Sequence, residues 1–369
     1  MNARIVLVAG LALTAAPPSE PTPRSLGAPV VEFNLDVTEI AGVRELADGR
    51  VLVSDPKEPG IYIVDPRTSS ARKIGTRGSG PGEYLQPGGL YVARADSTYA
   101  MDRGQPRYLV IDPKGTIVAT RLADAGSRRF VPGFGADPRT VDAGGNVYMS
   151  RPIGTSPDGI DSNVVVRYTI GRATPDPVAR LRAQETTRST TAGLTMARET
   201  YYSPADGWGI TPSGSVVVVR AAPYAVEWID GSGRHTAGPK IEIDDIRITS
   251  AERDSIIGET SAPVTFNVRG ADGANHPVTP PPIQPKFAPL KPAFEPSGVI
   301  AEPTERVWVR RTRPRGTSDV IYDVFDAKGV SVDRIVFPAR STVIGFGSRS
   351  VYVVQLDADD LPHLKKYRV

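Results

Sequence analysis

The 369-residue chain contains no cysteine. That excludes a disulfide, a thiol nucleophile, an iron–sulfur cluster, a cysteine-ligated zinc and a lipid-modified N-terminal cysteine. Histidine is scarce: His235, His276 and His363 are the only three, and no two are spaced as a HExxH-type pair. His235 follows the turn Asp230-Gly231-Ser232-Gly233 and His276 lies among glycine and proline, so each reads as a solvated loop residue rather than a ligand. No Gly-x-Ser-x-Gly elbow offers a nucleophile. Charge of one sign is missing too. Lys and Arg total 44 against 41 Asp and Glu, with no basic run of five, so a nucleic-acid partner is not expected. The apolar stretch Ile5–Ala16 has only twelve residues, too few to span a bilayer.

That stretch has a different meaning. Met1 to Arg4 forms a short positive segment, Ile5–Ala16 has the length of a signal-peptide apolar region, and Ala15 and Ala16 suit cleavage before Pro17. Residues 1–16 are therefore expected to be an export signal and 17–29 a linker, rich in proline at Pro17, Pro18, Pro21 and Pro23. A periplasmic or secreted location follows from it.

The abundant residues are 36 glycines and 35 prolines, nearly a fifth of the chain, which punctuate a repeat. Val51–Ser54, introduced by Asp48-Gly49, is followed by Ile61–Val64 and then Asp65-Pro66. The same pair of strands recurs as Thr98–Met101 with Tyr108–Ile111, Asn146–Met149 with Val164–Tyr168, and Ser215–Val219 with Ala225–Ile229. Arg306–Val309 with Ile321–Phe325 and Ser350–Val354 with Leu364–Arg368 complete six copies. A further strand precedes each pair, at Gly42–Leu46, Gly89–Val92, Arg139–Asp142, Gly207–Thr211, Gly298–Ala301 and Val343–Phe346, and a fourth follows where spacing allows. Four short antiparallel strands every 40–50 residues or so is the pattern of a propeller blade. The expected fold is all-β, a six-bladed β-propeller over residues 30–369. The last copy ends after its third strand, and Val30–Leu35 is a strand with no blade before it, so the N-terminal strand is expected to complete the last blade and close the ring.

The run Gly75-Thr76-Arg77-Gly78-Ser79-Gly80-Pro81-Gly82-Glu83-Tyr84, leading to Pro87-Gly88, resembles the linker between blades in NHL-repeat propellers. Over residues 30–369 the pattern is similar to that of exported bacterial six-bladed propellers. The resemblance implies fold and export and carries no single activity. Gly78, Gly80, Pro81, Gly82 and Glu83 are read as a structural linker motif, Glu83 accepting turn N–H groups. A phosphate loop is disfavoured, because no Gly-Lys-Ser/Thr and no predicted helix follow.

Two connections exceed the repeat, at about 171–206 and 238–296. The second holds a short predicted helix, with Thr249 and Glu252 at capping-box spacing and Gly258 as a stop, followed by a proline-rich stretch. Loops of this length serve as lids or as straps on the outside of the ring.

When the six second strands are stacked on their first β residue, the position four residues on holds Asp55, Arg103, Arg151, Arg220, Arg311 and Gln355. With Arg310 and Arg313 nearby, these guanidiniums could converge on one face and bind a carboxylate, phosphate or sulfate. Pairing with neighbouring acids is the alternative use of the same arginines. The expectation is a monomeric binding module for a protein, peptide, glycan or small anionic ligand, with Arg103, Arg151, Arg220, Arg310 and Arg311 as ligand contacts. The alternative is a metal-dependent propeller enzyme of lactonase or lyase type. It would hold a divalent metal such as calcium in the central channel through Asp55, Asp102 and Asn146.

Overall fold

The computed structural model describes residues 20–369 except 106, 123–139, 156–160, 170, 173, 192–193, 261, 263 and 270–272. The expected signal segment and residues 17–19 of the linker lie outside the described residues. The chain is a six-bladed β-propeller of four-stranded antiparallel blades. Blade 1 is Gly42–Glu45, Val51–Asp55, Gly60–Asp65 and Ser70–Ile74; blade 2 is Pro87–Val92, Thr98–Asp102, Arg107–Ile111 and Ile117–Leu122. Blade 3 is Thr140–Val141, Val147–Thr155, Asp161–Tyr168 and Asp176–Arg182; blade 4 is Gly207–Ile210, Val216–Ala221, Tyr224–Ile229 and His235–Ala237. Blade 5 is Phe294–Ala301, Val307–Arg311, Val320–Phe325 and Ser331–Phe337; blade 6 is Ser341–Gly347, Ser350–Leu356 and Pro362–Arg368 with Val31–Phe33 as its outer strand. The outer strand of blade 3 lies inside the stretch read from the sequence as a polar connection. Only Ala179 and Leu181 are buried along it, so its apolar signal is weak.

Each second strand is apolar on both faces because a blade is covered by a neighbour on either side. Val51 and Val53 pack toward blade 6 while Leu52 packs toward blade 2. Val217 and Val219 pack toward blade 5, and Val216 and Val218 toward blade 3. The core is thus six apolar clusters, one in each seam of the ring. Turns repeat one device. Asp112, Asp230 and Asp326 each accept the backbone N–H groups two and four residues on through Oδ1, at 2.8–3.1 Å. The glycine between those groups, Gly115, Gly233 or Gly329, takes a positive φ of 71° to 86°.

Closure is by strand pairing. Val31, Glu32 and Phe33 pair with Lys366, Lys365 and Leu364, and the Phe33 ring lies 6.1 Å from that of Tyr352. The preceding segment is docked as well. Arg24–Ser25 runs parallel to Ile335–Val336 as a fifth strand on blade 5, and Arg24 Nε donates to Asp333 at 3.0 Å. The described part of the proline-rich segment is therefore held against the ring.

Candidate functional site

Antiparallel order sends the second-to-third-strand turns and the inter-blade connections to one end of the ring, and the remaining turns to the other. Asp55, Arg103, Arg151, Arg220, Arg310 and Arg311 consequently sit at the linker end, whereas Asn146 lies in a first-to-second-strand turn at the opposite end. The three residues considered for a metal are thus split between the two ends. Asp55 accepts the backbone N–H groups of Thr38, Lys57 and Glu58 at 2.7–3.1 Å. Asp102 accepts those of Leu85, Gln86 and Gly104 and pairs with Arg107 at 3.0 Å. Asn146 donates to Asp142 at 2.8 Å. Among the described residues, no three acidic or histidine side chains are grouped as a metal would require.

The arginines divide into two sets. Arg220 lies between Asp206 at 2.9 Å and Glu227 at 2.5 Å. Arg311 stands 3.5 Å from Asp323 and 3.7 Å from Glu20, and Arg310 is 3.6 Å from Glu295. Arg334 joins the Asp323 group at 2.7 Å and also holds Glu20 at 2.7 Å. Burial pushes the Asp323 carboxyl above its ordinary range against the pull of Arg311 and Arg334. Arg151 stacks over Tyr168 at 5.1 Å, and Arg103 is exposed beside Gly88. Among the described residues no carboxylate pairs with these last two. Three of the five, Arg220, Arg310 and Arg311, thus stand within 3.6 Å of a carboxylate.

The central channel, about 260 Å³, is walled by all six inner strands. Val43, Leu90, Val92, Val141, Ile210 and Ile344 dominate it, Thr140 and Thr211 add hydroxyls, and Arg44 is its one charged group among the described residues. Arg44 is held by Asp96 at 2.6 Å. Among the described residues, none of the five singled-out arginines and no carboxylate lines this channel. A hard divalent cation takes six to eight or so oxygen donors, and among the described residues the wall is mostly aliphatic side chains with one guanidinium.

The linker motif is a turn assembly. Glu83 N–H donates to Gly80 O at 3.2 Å with Pro81 and Gly82 between them and Gly82 at φ +77°, the type II pattern. Gly80 N–H donates to the Glu83 carboxylate at 2.7 Å, and that carboxylate fills the space a Cβ on Gly78 would need. The strand Pro87–Val92 follows, not a helix.

The two long connections pack on each other at the linker end. The first forms the hairpin Thr186–Thr191 and Leu194–Glu199. The second contains the helix Ser250–Thr260, capped as expected by reciprocal Thr249 and Glu252 hydrogen bonds at 3.0 and 3.2 Å. Tyr201 N–H donates to Lys286 O at 2.8 Å, Ala288 N–H donates to Tyr201 O at 2.9 Å, and the Tyr201 and Phe287 rings stack at 5.5 Å. Lys291 and Glu252 form a buried pair at 2.5 Å, with Lys291 over the Tyr202 ring. Beneath the hairpin, between blades 3 and 4, lies an amphipathic cavity of about 510 Å³. Residue patterning did not indicate its lining, which includes Arg182, Arg188 and Asn163. The only signal was the excess length of the connection above it.

Residues 34–125 match the DUF5128 family model, described as a 6-bladed beta-propeller. No curated protein matches the chain. Among solved structures the chain is similar to a member of the DUF4221 family from Bacteroides vulgatus, with 9% identity over 92% of this chain and 97% of that one and a TM-score of 0.49. It is also similar to virginiamycin B lyase from Staphylococcus aureus, with 11% identity over 92% and 98% of the two chains and a TM-score of 0.39. A gluconolactonase from Xanthomonas campestris gives 11% identity over 97% and 99% and a TM-score of 0.42. No activity is carried over from these likenesses; the chain is a six-bladed propeller by its own strand order.

Proposed function

We propose that this is an exported, NHL-like propeller that acts as a monomeric binding module in the periplasm or outside the cell. Its signal would be residues 1–16 and its binding domain 30–369, and its ligand would be met at the linker end of the ring. The observation that carries this reading is the cavity of about 510 Å³ beneath the hairpin, at the end where the two long connections pack together. Pockets of about 300–1,000 Å³ with a few placed polar groups are where small ligands bind. Export rests on the signal-like pattern of the first sixteen residues, and among the described residues no helix is long and apolar enough to cross a membrane.

The metal-dependent enzyme is the weaker reading, because Asp55, Asp102 and Asn146 are engaged in turns at opposite ends and the channel wall is apolar. A thermal-shift screen of the purified protein against divalent cations, neutral sugars, peptides and small anions tests the choice, with lactone hydrolysis followed in parallel. The expected result is a raised melting point with a non-metal ligand that is not consumed. Lactone turnover that stops on chelation and returns with a divalent cation would overturn it.

A further inference from the structure

The cavity between blades 3 and 4 exists because of what replaces the tight linker found between blades 1 and 2. Between blades 1 and 2, Arg107 reaches from the start of its strand to the carbonyls of Ser79 and Glu83 at 2.9 Å, sealing linker to blade. Between blades 3 and 4 the chain leaves at Ala183, rises into the hairpin, and returns at Asp206. The corresponding first position of the third strand is Asp161, which Arg188 of the hairpin faces at 3.6 Å. The space below the hairpin stays open.

Its wall is amphipathic. Leu181, Ala205 and Trp208 form an apolar side that continues the seam cluster, joined by Pro152 and Pro296. Asn163, Gln184, Ser150 and Thr186 supply amides and hydroxyls. The charged groups are largely spent on protein partners. Asp206 accepts the N–H groups of Arg182 and Ala221 and the Arg220 guanidinium, each at 2.9 Å, while Arg182 pairs with Glu185 at 3.4 Å.

We propose that this cavity is a carbohydrate site that takes a neutral di- or trisaccharide. The proposal rests on the binding-module reading and names its ligand class. A pyranose presents an apolar C–H face, which suits the Trp208 and proline side, and hydroxyls that both donate and accept. Those hydroxyls meet the side-chain amides of Asn163 and Gln184 and the hydroxyl of Thr186 on the wall. An anionic ligand is disfavoured, since the carboxylates of the wall, Asp161, Asp206 and Glu199, outnumber its guanidiniums, Arg182 and Arg188.

The purified protein is titrated with neutral di- and trisaccharides of glucose, galactose, mannose and N-acetylglucosamine, by calorimetry and by tryptophan fluorescence. Acidic peptides and inorganic phosphate serve as comparison probes. At least one sugar is expected to bind with a change in emission that Trp208→Phe removes, and Asn163→Leu and Gln184→Leu are expected to weaken it tenfold or more. Circular dichroism melts confirm that each variant is folded. Should no sugar bind while a peptide or phosphate does, the carbohydrate assignment falls and the binding-module reading survives. Sugar binding unchanged in both Asn163→Leu and Gln184→Leu would remove the site from this cavity. If none of the probes binds the wild type, both readings fail together.

Discussion

Arg107 Nε stands 3.0 Å from Asp102 Oδ2, and both side chains are buried. The guanidinium continues to the carbonyls of Gly78, Ser79 and Glu83, while the carboxylate collects the N–H groups of Leu85, Gln86 and Gly104. One ion pair thereby fixes both strands of the linker that joins blades 1 and 2.

Arg107→Met is expected to destabilise the protein by about 3–5 kcal/mol, because it leaves a buried carboxylate and three carbonyls without their partner. Asp102→Asn keeps an acceptor for the linker N–H groups and is expected to cost less, about 2 kcal/mol. Urea unfolding of the two variants measures the difference. Equal and negligible effects would mean that the pair is incidental to the fold.

The architecture was legible because each blade signs its name twice. Runs such as Val216–Val219 betray a strand buried on both faces, and turns such as Asp230-Gly231-Ser232-Gly233 carry their own chemistry in the aspartate and the left-handed glycine. The clasp was legible because Val30–Leu35 had no blade in front of it and the last copy lacked a strand. Asp176–Arg182 escaped, since an outer strand needs few apolar residues and this one carries Pro177 and Arg180 on its exposed positions. The arginines were visible but their partners were not. Asp206 reaches Arg220 from the preceding inter-blade connection, and Asp323 reaches Arg311 from the next strand, whose other five residues are apolar or aromatic. Pairing across elements has no period along the chain. A cavity roofed by a hairpin has none either.

Glu45 sits on the seam that closes the ring. Its carboxylate takes hydrogen bonds from Tyr352 at 2.5 Å, Lys366 at 2.9 Å and Ser350 at 3.0 Å, so blade 1 holds blade 6 through one side chain. Burial pushes its pKa up, but the bonds from Tyr352 and Lys366, the Lys366 charge and Ser350 outweigh burial and hold it below the ordinary 4.5. A carboxylate lowered in the folded state contributes stability that is present above its unfolded pKa and lost as pH falls through the folded one. Acid is therefore expected to weaken the seam progressively below about pH 4.5. In Glu45→Gln this part of the acid dependence disappears, the variant being less stable than wild type at neutral pH and approaching it in acid. Denaturant midpoints measured from pH 7 down to pH 2.5 or so test it, and parallel curves for the two proteins would refute the assignment.

Glu252 and Lys291 tie the long insertion to itself, with Thr249 capping the helix start and Tyr202 covering the ammonium. Lys291→Met leaves the Glu252 carboxylate buried without its counter-charge, a loss of about 3–5 kcal/mol that falls on the insertion rather than on the blades. Limited proteolysis is the appropriate measurement, since local opening is read by cleavage. New cuts are expected between residues 238 and 293 at protease levels that leave wild type intact, with the far-ultraviolet spectrum of the ring unchanged. Cleavage spread evenly over the blades would show instead that the insertion and the propeller unfold together.

Closure is the remaining question of energetics, and Phe33 isolates it. Its ring is buried in the seam between blades 6 and 1, 6.1 Å from Tyr352 and within the cluster formed by Val51, Val53, Val354 and Leu364. Phe33→Ala removes that packing alone and is expected to cost about 3 kcal/mol, with the strand pairing left in place. Deleting residues 1–36 removes the pairing as well. The edge of Pro362–Arg368 then presents unpaired N–H and C=O groups along its length, which is a template for another copy of the chain. The point variant is expected to stay monomeric with a lower unfolding midpoint, and the truncation to dimerise or aggregate in size-exclusion chromatography with light scattering. A truncation that remains monomeric and as stable as Phe33→Ala would show that blade 6 holds without its fourth strand, and that the seam contacts of Glu45 suffice to close the ring.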